Sequence, residues 1–448
     1  MSKYILDSTV LLYAPHALKV FDEHEIYIPM SVLHEMAKIA QNGGPRQRDA
    51  LAFGRMADAI MNSPGKMFEL DGGGVLYATG RNDESIFDVA ASMEDAVIVS
   101  RSPMVRVLAR ANKIQAEPFK YERSELSEHP YTGRCSLYIS GDEMAKFAKA
   151  GNLTLDPKKY YTATDEHGDT VSDAYTPSAN EYLILTSMEN PSHTMLGRHV
   201  RDGRIVPLLP VAQTGPVYGV KPRNVGQKFA LDALLNPAIP LVILRGPAGT
   251  AKSYLSMAAG LSQVMVNGQQ SYKKVLITRP NTKMDNDIGY LKGDETDKTM
   301  PILRGLLDNV DNLVESDSNE ERADGKPGES PAMHLVDIGV LEMQSMAYMR
   351  GRSIVGQYII VDEMQNSTPT QALSIVTRVG EDTKIVVCGD VEQIDAPFLD
   401  EHSNGLAFVS ERMKDSPLCA QITFTEKEST RSPLAQEAIR LMGMTRVD

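Results

Sequence analysis

The sequence predicts an α/β protein in three parts: a parallel α/β domain over residues 1–122, a small β-rich connecting module over 123–218, and a second parallel α/β domain over 219–448. Three observations carry this. Short apolar runs alternate with helical spacings at both ends of the chain, the rhythm of strands joined through crossover helices. Between them, short β-patterned runs are separated by Gly, Pro and Asn turns. In the last part, the glycine-rich segment GPAGTAKS (246–253) follows an apolar run and opens a helical pattern.

Bulk properties bound what the chain can be. Its 448 residues exceed what a single core fills, and 42% hydrophobic with 23% charged residues is ordinary for a globular protein. No stretch approaches ~18 uninterrupted apolar residues and MSKYILDSTV does not read as a signal peptide, so a cytoplasmic protein without a membrane span is expected. Cys135, Cys388 and Cys419 are widely spaced and unpaired in pattern, which argues for buried thiols rather than disulfides or a thiolate zinc site. The net charge of −13 opposes nonspecific nucleic-acid binding over the whole surface, so any such site must be a local basic patch. Much of the acidity lies in runs such as 314–330, VESDSNEERADGKPGES, which reads as a polar insertion.

In the first part, YILD (4–7), EIYIP (25–29) and AVIVS (96–100) read as strands. Ser31 is placed to cap a helix whose buried stripe is Val32, Leu33, Met36, Ile39 and Ala40, leaving Glu35 on its flank. Residues 125–215 contain TGRCSLYIS, NEYLILTS and a hairpin turn at Asp202 and Gly203. The third part carries the strand-like runs 241–246, 274–280, 340–344, 358–363, 384–390 and 421–425, several of them continuously apolar, as expected of strands covered on both faces. Ligands of such sheets bind at the C-terminal strand ends.

The chemistry gathers at those ends. A glycine-rich turn that opens a helix offers phosphate several backbone N–H donors and the positive end of a dipole. Gly246, Pro247, Ala248, Gly249, Thr250, Ala251, Lys252 and Ser253 form such a turn, with Lys252 reaching the β/γ-phosphates and Ser253 ligating Mg²⁺. Ala251 departs from the usual GxxxxGK[ST] pattern, and a negative φ in the first helical turn would tolerate its methyl group. YIIVDEMQN places Asp362 and Glu363 after a strand, where the first can hold the Mg²⁺ shell and the second can polarise the attacking water. Gln393 in GDVEQ either senses the γ-phosphate or sits in a plain turn, and Arg431 in ESTRSP is either an arginine finger or a surface ion-pair partner.

The ordered set GPAGTAKS, ITRPNTKMDNDIGYLKGD, AYMRGRS, IIVDEMQNSTPTQ, CGDVEQID and TRSPLAQ resembles the PhoH-type ATPases, relatives of superfamily 1 helicases, over residues 220–442. The resemblance implies a RecA/helicase-like P-loop ATPase domain that takes ATP and Mg²⁺, with Gln227 reading adenine and Arg279 in the motif after the second strand. Arg350 and Arg352 would meet phosphates of nucleotide or RNA, or cap a strand end.

The first 120 residues resemble a PIN nuclease domain, so the whole is similar to bacterial and phage PIN–PhoH fusions. The PIN likeness implies that Asp7, Glu35 and Asp83 hold Mg²⁺ or Mn²⁺ for RNA cleavage, with Glu84, Asp88 or Asp95 as helpers. The fourth acidic position is Ser102, which removes a charge from that set and weakens the nuclease expectation. Arg101, Arg106, Arg110, Lys113, Lys120 and Arg123 form a basic stretch able to meet an RNA backbone, with Arg106 and Arg110 one helical turn apart; a solvated helix face is the plainer alternative. The resemblance also implies a homo-oligomer, a hexameric ring. Three functional readings stand side by side: an ATP-driven RNA motor joined to an RNA-cutting PIN domain, a motor with a noncatalytic RNA-binding PIN-like domain, which Ser102 favours, or a nucleotide-switched scaffold that is neither nuclease nor helicase.

Overall fold

The computed structural model describes residues 2–14, 17–18, 21, 23–42, 47–61, 70, 73–81, 83–119, 131–156, 158–165, 168–172, 174–266, 271–280, 295–316, 330–346, 349, 353–396, 399–401, 403–430, 434 and 437. Lys120, Arg123, Arg350, Arg352, Arg431 and nearly all of the 314–330 insertion lie outside the described residues. The chain divides into two compact units, Met1–Arg123 and Ser124–Asp448, the second holding both the β-rich middle and the C-terminal α/β part.

The first unit runs β1 (Lys3–Leu6), α1 (Ser8–Tyr13), β2 (Glu25–Pro29), α2 (Met30–Asn42), α3 (Gln47–Met61), β3 (Val75–Thr79), α4 (Ile86–Ala91), β4 (Ala96–Val99), α5 (Pro103–Ala111) and β5 (Gln115–Glu117). Its sheet has the order β3-β2-β1-β4-β5 and is parallel throughout. Successive side chains of a strand point to opposite faces. Leu6, Ile26 and Ile28 accordingly pack with Val10, Leu11 and Phe53 on one face, and Ile5 and Ile98 with Val89 and Ala109 on the other. Ser31 does not cap α2: the strand passes at Pro29 directly into a helix that starts at Met30, which leaves Ser31 inside the first turn.

The second unit opens with β6 (Arg134–Ile139), α6 (Gly141–Ala150), β7 (Leu153–Thr154), β8 (Ala163–Thr164), β9 (Thr170–Ser172), β10 (Tyr182–Ser187), β11 (Thr194–His199), β12 (Arg204–Pro207) and α7 (Pro210–Thr214). These strands make a seven-stranded mixed sheet in which β10 and β6 run parallel. The hairpin between β11 and β12 turns through Gly203, whose φ of 83° suits glycine.

There follow α8 (Val225–Leu235), β13 (Leu241–Arg245), α9 (Lys252–Met265), β14 (Val275–Arg279), α10 (Glu295–Ser316), α11 (Pro331–Asp337), β15 (Leu341–Ser345), β16 (Tyr358–Val361), α12 (Pro369–Val376), β17 (Lys384–Gly389), α13 (Gly405–Met413) and β18 (Cys419–Thr423). The six strands form one parallel sheet, β15-β14-β16-β17-β13-β18, with an apolar core on each face. The last strand begins and ends two residues before the expected 421–425, because Cys419 and Ala420 pair with Leu241 and Val242 while Phe424 leaves the ladder. All three cysteines are free and buried. Among the described residues, no helix is long and apolar enough to cross a membrane.

Candidate functional site

The strand order sets β13, β16 and β17 side by side, so their C-terminal ends converge on one crevice. A cavity of about 320 Å³ lies there, lined in part by Gly249, Lys252, Ser253, Asp362, Glu363 and Gln393. Gly246 has φ 134°, and an added Cβ would lie 2.6 Å from Phe424 O, so two backbones meet at a distance only glycine allows. Ala251 precedes α9 as its N-cap with φ 69° and ψ 23°, in the left-handed region. The expectation of a negative φ is thereby corrected: the helix starts at Lys252, one residue too late for Ala251 to share its dihedrals. This is the backbone geometry that favours glycine at that point of the motif.

Lys252 Nζ donates to Gly246 O at 2.6 Å and Pro247 O at 3.0 Å, and burial pushes its ammonium below the ordinary lysine value. Ser253 Oγ donates to Asp362 Oδ1 at 2.5 Å. Burial raises the Asp362 carboxyl above its usual range against the opposing Ser253 hydrogen bond, and burial likewise raises Asp390. A hydroxyl and a carboxylate in contact below a helix N-terminus are a donor set suited to Mg²⁺, and the ammonium beside them suits phosphate.

Glu363 follows with φ 53°, a strained conformation for a non-glycine residue. Its carboxylate stands between Arg279, 3.3 Å away, and the amide of Gln365. Gln365 is fully buried, donates also to Gln393 O at 2.9 Å and accepts Asp390 N at 3.1 Å. It therefore ties the acidic pair after β16 to the turn after β17. Arg279 and Glu363 are thus brought together, as are Lys252, Ser253 and Asp362. Gln227 is not part of the cavity lining: it is buried in the first turn of α8 with Oε1 accepting Arg223 N at 2.8 Å. Sequence reasoning passed over Gln365, Asp390 and Asn309. Gln365 and Asp390 sit inside the quoted motifs, whereas Asn309 reaches the cavity from α10 with no local signal.

In the first unit, Asp7 is buried after β1. Its Oδ2 accepts Thr9 Oγ1 at 2.7 Å and Ser100 Oγ at 2.6 Å. Ser102 caps α5, accepting Val105 N at 3.4 Å, so serine at this position has a helix-starting task. Glu35 and Asp83 are exposed, and Asp88 is taken up in a capping box with Ser85. Among the described residues no three His, Cys, Asp or Glu stand close enough to hold a metal ion, so Asp7, Glu35 and Asp83 are not gathered as expected of a metal set. Arg106 and Arg110 do not present one common basic face: Arg106 turns to donate to Ser100 O at 2.8 Å, and Arg110 is exposed. Arg101 lies 3.2 Å over the Tyr13 ring.

Fold and site together define a P-loop α/β nucleotide-binding ATPase carrying a separate parallel α/β unit at its N-terminus. Comparison with known families makes this specific. Residues 219–443 match the model of the PhoH-like protein family and residues 4–120 that of the PIN domain. The chain belongs to the PhoH-like protein family. It is 34% identical to Protein PhoH2 of Bacillus subtilis, over 99% of this chain and 100% of that one. It is 30% identical to Protein PhoH2 of Thermobispora bispora and 29% to that of Mycolicibacterium smegmatis, each over 96% of this chain and 94% of the relative.

Proposed function

We propose that this protein is an ATP-dependent RNA-processing protein, a helicase-like motor whose hydrolysis site is the crevice at Lys252, Ser253, Asp362 and Glu363. The observation that carries the reading is the contact of Ser253 with Asp362, because it joins the two side chains expected to share one Mg²⁺. The Lys252 ammonium would exchange Gly246 O and Pro247 O for phosphate oxygens, while Ser253 and Asp362 would hold Mg²⁺, which supplies neutralisation of charge on the β- and γ-phosphates. Glu363, aimed by Arg279 and Gln365, would accept a proton from the attacking water. Gln227 is proposed for adenine, and Gln393 and Arg431 for the γ-phosphate. Replacement of Lys252 by Ala should abolish MgATP hydrolysis in a phosphate-release assay while the melting temperature is kept; retained turnover would sink the assignment.

A second reading of the first unit is favoured by Ser102. With that side chain committed to capping α5, the PIN-like domain is proposed to bind RNA and not to cut it. The fully catalytic alternative has Asp7, Glu35 and Asp83 holding Mg²⁺ or Mn²⁺. Incubation of the full chain with labelled RNA and Mn²⁺ separates them: RNA bound and intact supports the binding role, and cleavage abolished by Asp7→Asn supports the catalytic one. A hexameric ring and a cytoplasmic location belong to the same proposal.

A further inference from the structure

A buried ion pair links the middle sheet to the segment that lies on the phosphate-binding loop. Arg134 opens β6, and its two terminal guanidinium nitrogens donate to Glu428 Oε1 at 2.9 Å and Oε2 at 2.8 Å. Side-chain exposures of 7% and 12% keep the pair away from solvent screening. Glu428 is not on that sheet: it ends a single 3-10 turn, Glu426–Glu428, that follows β18. Its carboxylate also accepts Gly226 N, in the first turn of α8, at 2.9 Å and Thr425 N at 3.0 Å.

The segment 424–430 grips the loop at both ends. Phe424 packs against Gly246. Thr430 donates from its backbone N–H at 2.9 Å and from Oγ1 at 3.0 Å to Gly249 O. Between these ends Glu426 and Lys427 are exposed and no apolar side chain of the 3-10 turn enters the core, so no apolar packing fixes its place. Its middle is held by polar contacts to the Glu428 carboxylate, of which the fork to Arg134 is the one that joins two opposite charges. Thr423 N to Thr132 O at 3.0 Å and Gln421 Nε2 to Tyr131 O at 2.7 Å tie the same stretch of middle-sheet chain to β18.

We propose that Arg134 is a positioning residue for nucleotide hydrolysis: its two-pronged pair with Glu428 fixes segment 424–430 on the P-loop, which makes the middle sheet a working part of the nucleotide site. The inference rests on the hydrolysis site proposed above. The backbone amides of Gly249 to Ser253 must be aimed at phosphate oxygens, and misplacements of about 1 Å at a reacting centre cost on the order of 100-fold in rate. A displacement of the middle sheet would be felt at Gly249 through Glu428 and Thr430. A lysine at 134 keeps the charge and loses the fork, so it should restore function in part.

The test uses the full chain, with binding of fluorescent mant-ADP, steady-state kcat and KM for MgATP, and thermal melting. Arg134→Gln should lower kcat on the order of tenfold or more and weaken mant-ADP binding under conditions where the protein is folded, with Arg134→Lys between it and the parent. If Arg134→Gln does not fold, the double variant Arg134→Met/Glu428→Gln takes its place with the same expected losses, because it leaves no buried charge unpaired. A folded variant that melts lower but keeps kcat and mant-ADP affinity within about twofold overturns the proposal and leaves Arg134 a structural residue. Failure of the unsubstituted protein to bind mant-ADP overturns the hydrolysis site and this inference together, an outcome distinct from the previous one.

Discussion

Replacing Lys384 by Met should make the stability of the protein respond differently to alkaline pH. Lys384 opens β17 and is fully buried, with Nζ donating to Ala233 O at 2.8 Å, Asn236 O at 2.8 Å and Ile239 O at 2.7 Å. The need for it is local: the helical partner of Ala233 O would be the N–H of residue 237, which is proline, and residue 240 is proline as well. Burial pushes the Lys384 ammonium from 10.5 down to about 7. Between those limits the unfolded chain binds the proton and the folded chain gives it up. Stability from this group therefore rises with pH across the window, by up to ~1.4 kcal/mol per pH unit, and is least below its lower end. A neutral amine still donates to two of the three carbonyls, whereas methionine of similar length donates to none. With ~1–3 kcal/mol for each of the two buried carbonyls left without a donor, Lys384→Met should destabilise by roughly 2–6 kcal/mol at pH 9. The gap should be about 2 kcal/mol smaller at pH 7.5. Scanning calorimetry of both proteins in matched buffers from pH 7 to 10 measures the gap directly. Curves that run parallel would show that the three carbonyls hold the ammonium at its solvent value, and the burial argument would be refuted.

Two further predictions concern the crevice. Ala251→Gly relieves a left-handed alanine, worth ~1–2 kcal/mol, against ~0.5–1 kcal/mol of added chain entropy, so a net gain of about 0.5–1 kcal/mol is expected. This should appear as a melting temperature higher by roughly 1–3 °C in a dye-based melt; a lower one would contradict the dihedral reading. Gln365→Leu keeps the volume but frees Glu363 and leaves Asp390 N and Gln393 O without the amide. It should reduce kcat for MgATP by roughly 100-fold or more with little change in nucleotide affinity. Equal losses in affinity and kcat would instead mean that the pocket has collapsed.

Much of the site was legible because its parts are contiguous. The apolar runs before Gly246, Asp362 and Asp390 are strands for the reason the sequence reading supplied, burial on both faces, and each ends at a polar group with nothing left to pack. The backbone at Ala251 departs from the expected negative φ because its dihedral depends on where α9 begins, and a one-residue difference in a helix start reverses the sign of φ without altering any sequence pattern. Gln365 carries no local signal, since nothing in its spacing marks it as buried, yet it is inside with both ends of its amide occupied. Ser102 was legible as a lost carboxylate, but its cap on α5 needed the position of Val105.

What stayed hidden is long in sequence separation. Arg134 and Glu428 are 294 residues apart, and neither neighbourhood carries a spacing that points to the other. Local patterns report which face of an element is buried; they do not report which distant element covers it. The middle segment therefore read as a connector, since its turns and short strands describe its own sheet only. Its relation to the ATPase lies in a few polar side chains that meet in a buried seam: Arg198 beside Asp232, Tyr182 hydrogen-bonded to Asp232, Asn180 to the carbonyls of Pro417 and Cys419, and Arg134 paired with Glu428. Buried polar groups must find partners, so a seam of this kind fixes one docking of the two sheets and penalises any other. Under the proposal for Arg134, that constraint makes the middle sheet part of the frame on which the phosphate-binding loop rests.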